Sequence, residues 1–254
     1  MRFLNSILLL RALSCVKLSW QKQELLDILA IREADLVVLF AFLASWGVEM
    51  VCDRDTCIFP YPMYALTKGV VAPHADLHEK DMFFWQAVAS TNDPMYGLHD
   101  PENAKIVFSD YQLHGRGQYQ RTWDAPYASN VLLSVHKTFK DSIDWAGFSQ
   151  VVGYLLSQGL QKLYPDLAFS TKDPNDILIS GRKVAGVLIE AKTLGACQYA
   201  VIGVGLNVNM PIGPEVGKTR TSLATELGHH QDRLKPALVA LQSALTSLEI
   251  LGSL

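Results

Sequence analysis

The chain has 254 residues, of which 49% are hydrophobic and 19% charged, with a formal net charge of −3. That is ample material for a folded core, and it excludes a disordered chain, a coiled coil and a disulfide-knotted peptide. So balanced a charge supplies no global field drawing the protein to nucleic acid or to an anionic membrane. The uncharged run Leu36 to Val48 falls short of the roughly 20 residues a membrane span needs. Arg11 cuts the N-terminal apolar run short, so no signal peptide and no membrane association are expected. Cys15, Cys52, Cys57 and Cys197 are too scattered for a disulfide framework, and the Cys52/Cys57 spacing lacks two further zinc ligands. Reduced thiols in a cytoplasmic protein, with no metal site, are the expectation.

In chain order, Leu4, Leu8, Leu9 and Leu13 share one helical face. Leu25, Leu26, Ile28 and Leu29 begin a second apolar segment, and Leu36 to Trp46 form a third, which Gly47 ends. Val48 to Ile58, with the polar tip Asp53-Arg54-Asp55, reads as a β-ribbon stopped by Pro60 and Pro62. Three helices and a ribbon predict a winged helix-turn-helix-like domain over residues 1–66. Residues 67–254 read as a second domain. Its predicted strands are Ile106–Phe108, Val131–Val135, Leu167–Ser170, Ile177–Ile179, Val184–Ile189 and Tyr199–Val208. Phe148 to Leu160 repeat at helical spacing, and Leu234, Leu238, Leu241 and Leu245 mark a closing helix with Asp232 as its cap. The fold class is α+β.

Four segments of the second domain carry chemistry. Gly115 to Trp123 combines glycines that admit an anion near the backbone, two arginines suited to carboxylate or phosphate, and a flat indole. Lys172-Asp173-Pro174-Asn175-Asp176 sets a turn before a strand. In the third, Ser180-Gly181 forms a hairpin turn, Lys183 opens the next strand, and Gly186 leaves room beside it. The fourth, Val201 to Asn209, is an apolar strand interrupted by Gly203 and Gly205. Taken singly, each also fits an exposed turn or an ordinary core strand. Gly213 to Thr219 imitates a P-loop but has three residues between its glycines where the motif needs four.

Taken together and in order, these segments resemble the biotin protein ligases. The family loop Gly-Arg-Gly-Arg-x-Gly-Arg-x-Trp, preceded by a glutamine, is matched by Gln112, Gly115, Arg116, Gly117, Arg121 and Trp123. The Lys-Trp-Pro-Asn-Asp motif is matched by Lys172, Pro174, Asn175 and Asp176. Lys183, Ala185, Gly186, Leu188 and Glu190 match Lys-x-Ala-Gly-x-Leu-x-Glu in full. Ser90-Thr91-Asn92 stands upstream, and Gly203, Gly205 and Asn207 match a Gly-x-Gly-x-Asn strand. Ser45 to Glu49, the ribbon and Pro60 to Leu66 are similar to the winged end of the DNA-binding domain of bifunctional ligase–repressors.

The resemblance implies a mixed-sheet catalytic domain of the class II synthetase-like biotin/lipoate ligase type. It implies activation of biotin by ATP and Mg²⁺ to biotinyl-5′-AMP, then transfer to one lysine of the biotin carboxyl carrier protein of acetyl-CoA carboxylase. Ser90, Thr91, Asn92, Gln112, Gly115, Arg116, Lys183, Gly186, Gly203 and Gly205 are the implied biotin residues. Gln118, Arg121, Trp123, Lys172, Asn175 and Asn207 are the implied nucleotide residues, with Lys183, Arg116 and Asp176 catalytic. Gln118 stands where the family has arginine, a charged contact worth roughly 1.5–3 kcal/mol. Gln120 replaces a glycine and Asp173 a tryptophan. The family's small C-terminal β-barrel is expected to be absent. The implied recognition helix, Ala34 to Ala44, has no Lys, Arg, Asn or Gln, and residues 1–70 hold seven basic and seven acidic side chains. DNA binding is therefore not expected. The alternatives are a lipoate ligase, which shares the fold, and a biotin-binding regulator that has lost catalysis. Dimerisation is left open.

Overall fold

The computed structural model describes residues 19–45, 47–48, 50–58, 66–75, 77–93, 100, 102–213 and 216–252. The helix expected over Leu4 to Leu13, Cys15, and the stops at Pro60 and Pro62 lie outside the described residues.

The N-terminal unit runs β1 (Ser19–Gln21), α1 (Lys22–Leu29), α2 (Glu33–Ser45), β2 (Val51–Cys52) and β3 (Thr56–Ile58). The strands form an antiparallel sheet in the order β1-β3-β2. The expected ribbon is β2–β3, and β1 is a strand the apolar pattern did not announce. Asp53 Oδ1 accepts from the backbone N–H of Asp55 and Thr56 at 2.9 and 2.7 Å, which closes the ribbon tip. Leu25, Leu29, Leu36, Leu39, Leu43, Val48 and Cys57 form a core that also takes in Tyr127 and Ala128 of the larger unit. The expectation of reduced thiols is corrected at two positions. Antiparallel pairing sets Cys52 opposite Cys57 with Cα atoms 4.2 Å apart, and the pair is disulfide-bonded. Sequence spacing alone does not reveal such a cross-strand pairing. Cys197 is a free thiol.

The larger unit contains α3 (Lys68–Val71), β4 (Met82–Trp85), β5 (Lys105–Ser109), β6 (Val131–Phe139), α4 (Phe148–Leu163), β7 (Phe169–Lys172), β8 (Asp176–Ile179), β9 (Arg182–Leu194), β10 (Cys197–Leu206), α5 (Leu223–Leu227) and α6 (Leu234–Gly252). It is a mixed α/β fold around a seven-stranded sheet of order β4-β5-β6-β10-β9-β8-β7. Only the β4–β5 pair is parallel. β4 was not predicted, and β7 begins two residues later than the expected Leu167–Ser170. Ser180 and Gly181, with φ of 49° and 79°, make the two-residue hairpin between β8 and β9.

Strand alternation separates two faces. Val131, Leu133 and Val135 of β6, Ala185, Val187 and Ile189 of β9, and Ile202, Val204 and Leu206 of β10 belong to the main core. α4 and α6 pack there, Gly159 of α4 so closely that a Cβ would stand 2.6 Å from Val239 Cγ1. α6 is long and apolar enough to cross a membrane over Leu234–Leu251. Its Ala237, Ala240, Leu241 and Ala244 are instead buried in this core. Leu234 N donates to Asp232 Oδ1 at 3.0 Å, the cap expected there. Beside it, the fully buried Arg233 donates to Asp110 Oδ1 at 2.6 Å and to the Asn130 carbonyl at 2.8 Å. Burial pushes the Asp110 carboxyl up, against the pull of Arg233. The opposite sheet face carries the site.

Candidate active site

On that face, residues stand in rows across three strands. Ser134 of β6, Gly203 of β10 and Leu188 of β9 form one row; Leu132, Gly205 and Gly186 form the next. Two glycines side by side remove the side chains that would fill the surface. A Cβ on Gly205 would lie 2.5 Å from Trp123 Cε2, and a Cβ on Gly203 would collide with Asn92 Oδ1. The result is a narrow slot of about 40 Å³, floored by glycine and covered by Trp123. Ser90, Thr91, Asn92, Gln112, Arg116, Asn175, Lys183 and Gly186 line it, together with Gly203 and Gly205.

One end of the slot is polar and tightly organised. Gln112 Oε1 accepts from Thr91 N at 2.7 Å and from Thr91 Oγ1 at 3.0 Å. Ser134 Oγ lies 2.7 Å from Thr91 Oγ1 and 2.6 Å from Asn92 Oδ1. Asn92 Nδ2 donates to Glu190 Oε2 at 2.8 Å, and Arg116 donates to Glu190 at 3.2 Å and to Asp93 at 2.7 Å. Burial works against the Arg116 charge, but Asp93 and Glu190 outweigh it and hold its pKa above the ordinary value. Beneath Thr91, His136 Nε2 is 2.9 Å from the Thr91 carbonyl, which can only accept, so that nitrogen carries the proton. His136 Nδ1 then accepts from Tyr199 OH at 2.5 Å. Burial pushes the Tyr199 phenol up to about 12, which keeps it a donor.

The other end carries a second cation, Lys183. Lys183 Nζ is 2.5 Å from Asp176 Oδ1 and sits 5.4 Å from the centre of the Trp123 ring. Asp176 faces Gly186 across β8–β9, so the pairing brings this carboxylate to Lys183. Asn175 Nδ2 donates to the Val187 carbonyl at 2.8 Å. Asn207 is buried between Asn130 and the Thr221 carbonyl, at 3.1 Å from each. Trp123 Nε1 is buried and has no hydrogen-bond partner.

The loop leading to Trp123 folds on itself. Gly117 N donates to the Arg121 carbonyl at 2.7 Å and Trp123 N to the Gly115 carbonyl at 2.9 Å. A Cβ on Gly115 would collide with the Trp123 carbonyl, which accounts for glycine there. Tyr119 and Gln120 take left-handed φ of 57° and 59°. Gln118 and Arg121 point away from the slot; Arg121 lies 5.9 Å from the centre of the Tyr119 ring. Lys172 is exposed at the end of β7, paired in register with Asp176, and does not line the slot. Eleven of the expected side chains or glycines therefore meet at the slot, Asp176 joins through Lys183, Asn207 lies just beyond, and Gly115 seats the Trp123 carbonyl without lining the slot. Gln118, Arg121 and Lys172 stand outside it. Sequence reasoning missed Ser134 and His136, since a serine or histidine inside an apolar strand carries no local signal.

Residues 86–207 match the family model described as the biotin/lipoate A/B protein ligase family. The chain is 33% identical over 214 residues to the bifunctional ligase/repressor BirA of Escherichia coli K12, covering 82% of this chain and 65% of that protein. It is 33% identical over 122 residues to the biotin–[acetyl-CoA-carboxylase] ligase of Mycobacterium tuberculosis, covering 46% of this chain and 44% of that one. Among solved structures, the biotin protein ligase of Aquifex aeolicus in complex with biotin and ATP superimposes with a TM-score of 0.54 at 25% identity, covering 67% of this chain and 71% of that chain. It is the segment 86–207 that matches the biotin/lipoate A/B protein ligase family. The chain spans between about half and two thirds of the length of the BirA relatives it matches.

Proposed function

We propose that the protein is an ATP-dependent biotin protein ligase. It activates biotin to biotinyl-5′-AMP and transfers the biotinyl group to a lysine of the biotin carboxyl carrier protein of acetyl-CoA carboxylase. The observation that carries this reading is the glycine-floored slot with a hydrogen-bonding group at one end and Lys183 at the other. A flat fused ring with a ureido head and a carboxylate tail has that polarity.

In this reading Ser90, Thr91 and Gln112 hold the ureido head, and Gly203, Gly205 and Gly186 clear space for the rings. Lys183 and Arg116 offset the repulsion between the biotin carboxylate and the α-phosphate and stabilise the charge that builds on the phosphate. Asp176 holds Lys183 and faces the incoming lysine, from which it can take a proton. Trp123 stacks on the adenine, and Asn175 and Asn207 border the nucleotide. Gln118 and Arg121 reach it only if the 115–123 loop closes, and Lys172 stands at the end of β7, outside the slot. Mg²⁺ would arrive with the triphosphate and help neutralise its charge, as in most ATP chemistry. The N-terminal unit is read as a degenerate winged helix without DNA affinity, and the protein as cytoplasmic.

The test is pyrophosphate release from ATP and Mg²⁺ with biotin, with lipoate and with neither acid. Biotin-dependent release is expected. Lys183→Ala should lower it about 100-fold or more, the scale set by removing one preorganised donor. Release with lipoate alone would reassign the substrate. Biotin binding without release would leave a biotin-responsive regulator.

A further inference from the structure

Trp123 and Lys183 line two cavities. One is the glycine-floored slot; the other, of about 30 Å³, is completed by Asp124, Asn207, Met210 and Arg220. No motif singles out Arg220, yet its backbone is held on both sides. Lys183 N donates to the Thr219 carbonyl at 2.9 Å and Thr221 N to the Lys183 carbonyl at 2.8 Å. These bonds pair Arg220 with Lys183 as a parallel bridge. Thr221 and Ser222 are fully buried, the Thr221 carbonyl accepts from Asn207, and Thr221 Oγ1 bonds Glu226. With Thr221 turned inward, alternation along this extended segment turns Arg220 outward, onto the cavity wall.

Arg220 differs from the three arginines of the larger unit that are held in ion pairs. Arg116, Arg182 and Arg233 each pair with a carboxylate, and Lys183 pairs with Asp176. Arg220 is exposed and pairs with no acid among the described residues. The cavity is thus lined by Asp124, by Lys183 with its Asp176 partner, and by Arg220, whose charge has no ion-pair partner among the described residues.

We infer that Arg220 binds the phosphates of the nucleotide, beyond Lys183 as seen from the polar end of the slot. This assignment rests on the ligase reading for the identity of its ligand. The guanidinium fork matches phosphate oxygens in a bidentate way, and its fixed backbone gives it one place to reach. Arg220 holds the charged part of the substrate while Lys183 serves the reacting atoms.

Titration calorimetry tests this on the full chain saturated with biotinol, the alcohol analogue of biotin, which has no carboxylate to activate. ATP and adenosine are titrated separately into wild type, Arg220→Gln and Arg220→Lys. The expected result is ATP affinity weakened about tenfold or more in Arg220→Gln, as for other charge-assisted contacts. Partial recovery is expected in Arg220→Lys, with adenosine and biotinol affinities unchanged. Equal ATP affinity in wild type and Arg220→Gln, or a parallel loss for adenosine, overturns the assignment. A wild type that binds ATP but releases no pyrophosphate with biotin overturns the ligase reading and leaves the phosphate site standing. A wild type that binds no ATP overturns both.

Discussion

Gly205 shows what a single residue contributes by having no side chain. A Cβ there would lie within 2.5 Å of the Trp123 indole, a rigid ring that yields only by moving as a whole. Overpacking of this kind costs roughly 1–3 kcal/mol. Gly205→Ala is therefore expected to lift the indole from the slot and weaken biotin binding, with only a modest fall in melting temperature. Isothermal titration with biotin and a thermal melt check this; unchanged affinity would mean that the indole does not depend on its glycine seat. Gln120 makes the opposite point. The family pattern has glycine where this chain has glutamine, and the backbone there is left-handed, so the side chain is tolerated at a conformational cost.

At the level of elements, β6, β9 and β10 were legible because alternating apolar residues leave their other face to be read by subtraction. Gly203, Gly205 and Gly186 fall on that face in both sequence and structure. Ser134 and His136 fall there too, but only the tertiary hydrogen bonds to the 90–92 loop reveal that they support Thr91 and Asn92. Loop residues were less legible for another reason. Whether Gln118 and Arg121 face the slot depends on how the 115–123 loop closes, which no periodicity encodes. α6 was predicted from its leucines, whereas its anchor was not. Arg233 meets Asp110 across 123 positions of sequence. Losing one partner of a buried pair costs roughly 3–5 kcal/mol. Arg233→Met should accordingly lower the urea midpoint sharply, and Asp110→Asn in the same chain should restore part of it. A midpoint unmoved by Arg233→Met would show that α6 is held by apolar packing alone.

On the scale of the molecule, the two units are not beads on a string. Tyr127 and Ala128 belong to the larger unit by sequence and to the smaller unit's core by contact. The boundary near residue 66, drawn from patterns along the chain, could not show this shared surface. Removing residues 1–66 uncovers Tyr127, which is 2% exposed in the whole protein. Uncovering one large apolar side chain costs about 1.5–3 kcal/mol. The shortened chain should melt earlier while still binding biotin. Identical melting temperatures would mean that the smaller unit does not brace the larger one.

The ion pairs of Arg116 have a consequence for selectivity. Asp93 and Glu190 are tethered to the same chain and present at high effective concentration beside the guanidinium. A free anion such as acetate or phosphate must compete with both and holds nothing else in return. A ligand already anchored by its head at Gln112 and Thr91 competes on equal terms, because its own anion is also tethered. The resting salt bridges thereby act as a filter, screening out stray anions and yielding to one delivered from within the slot.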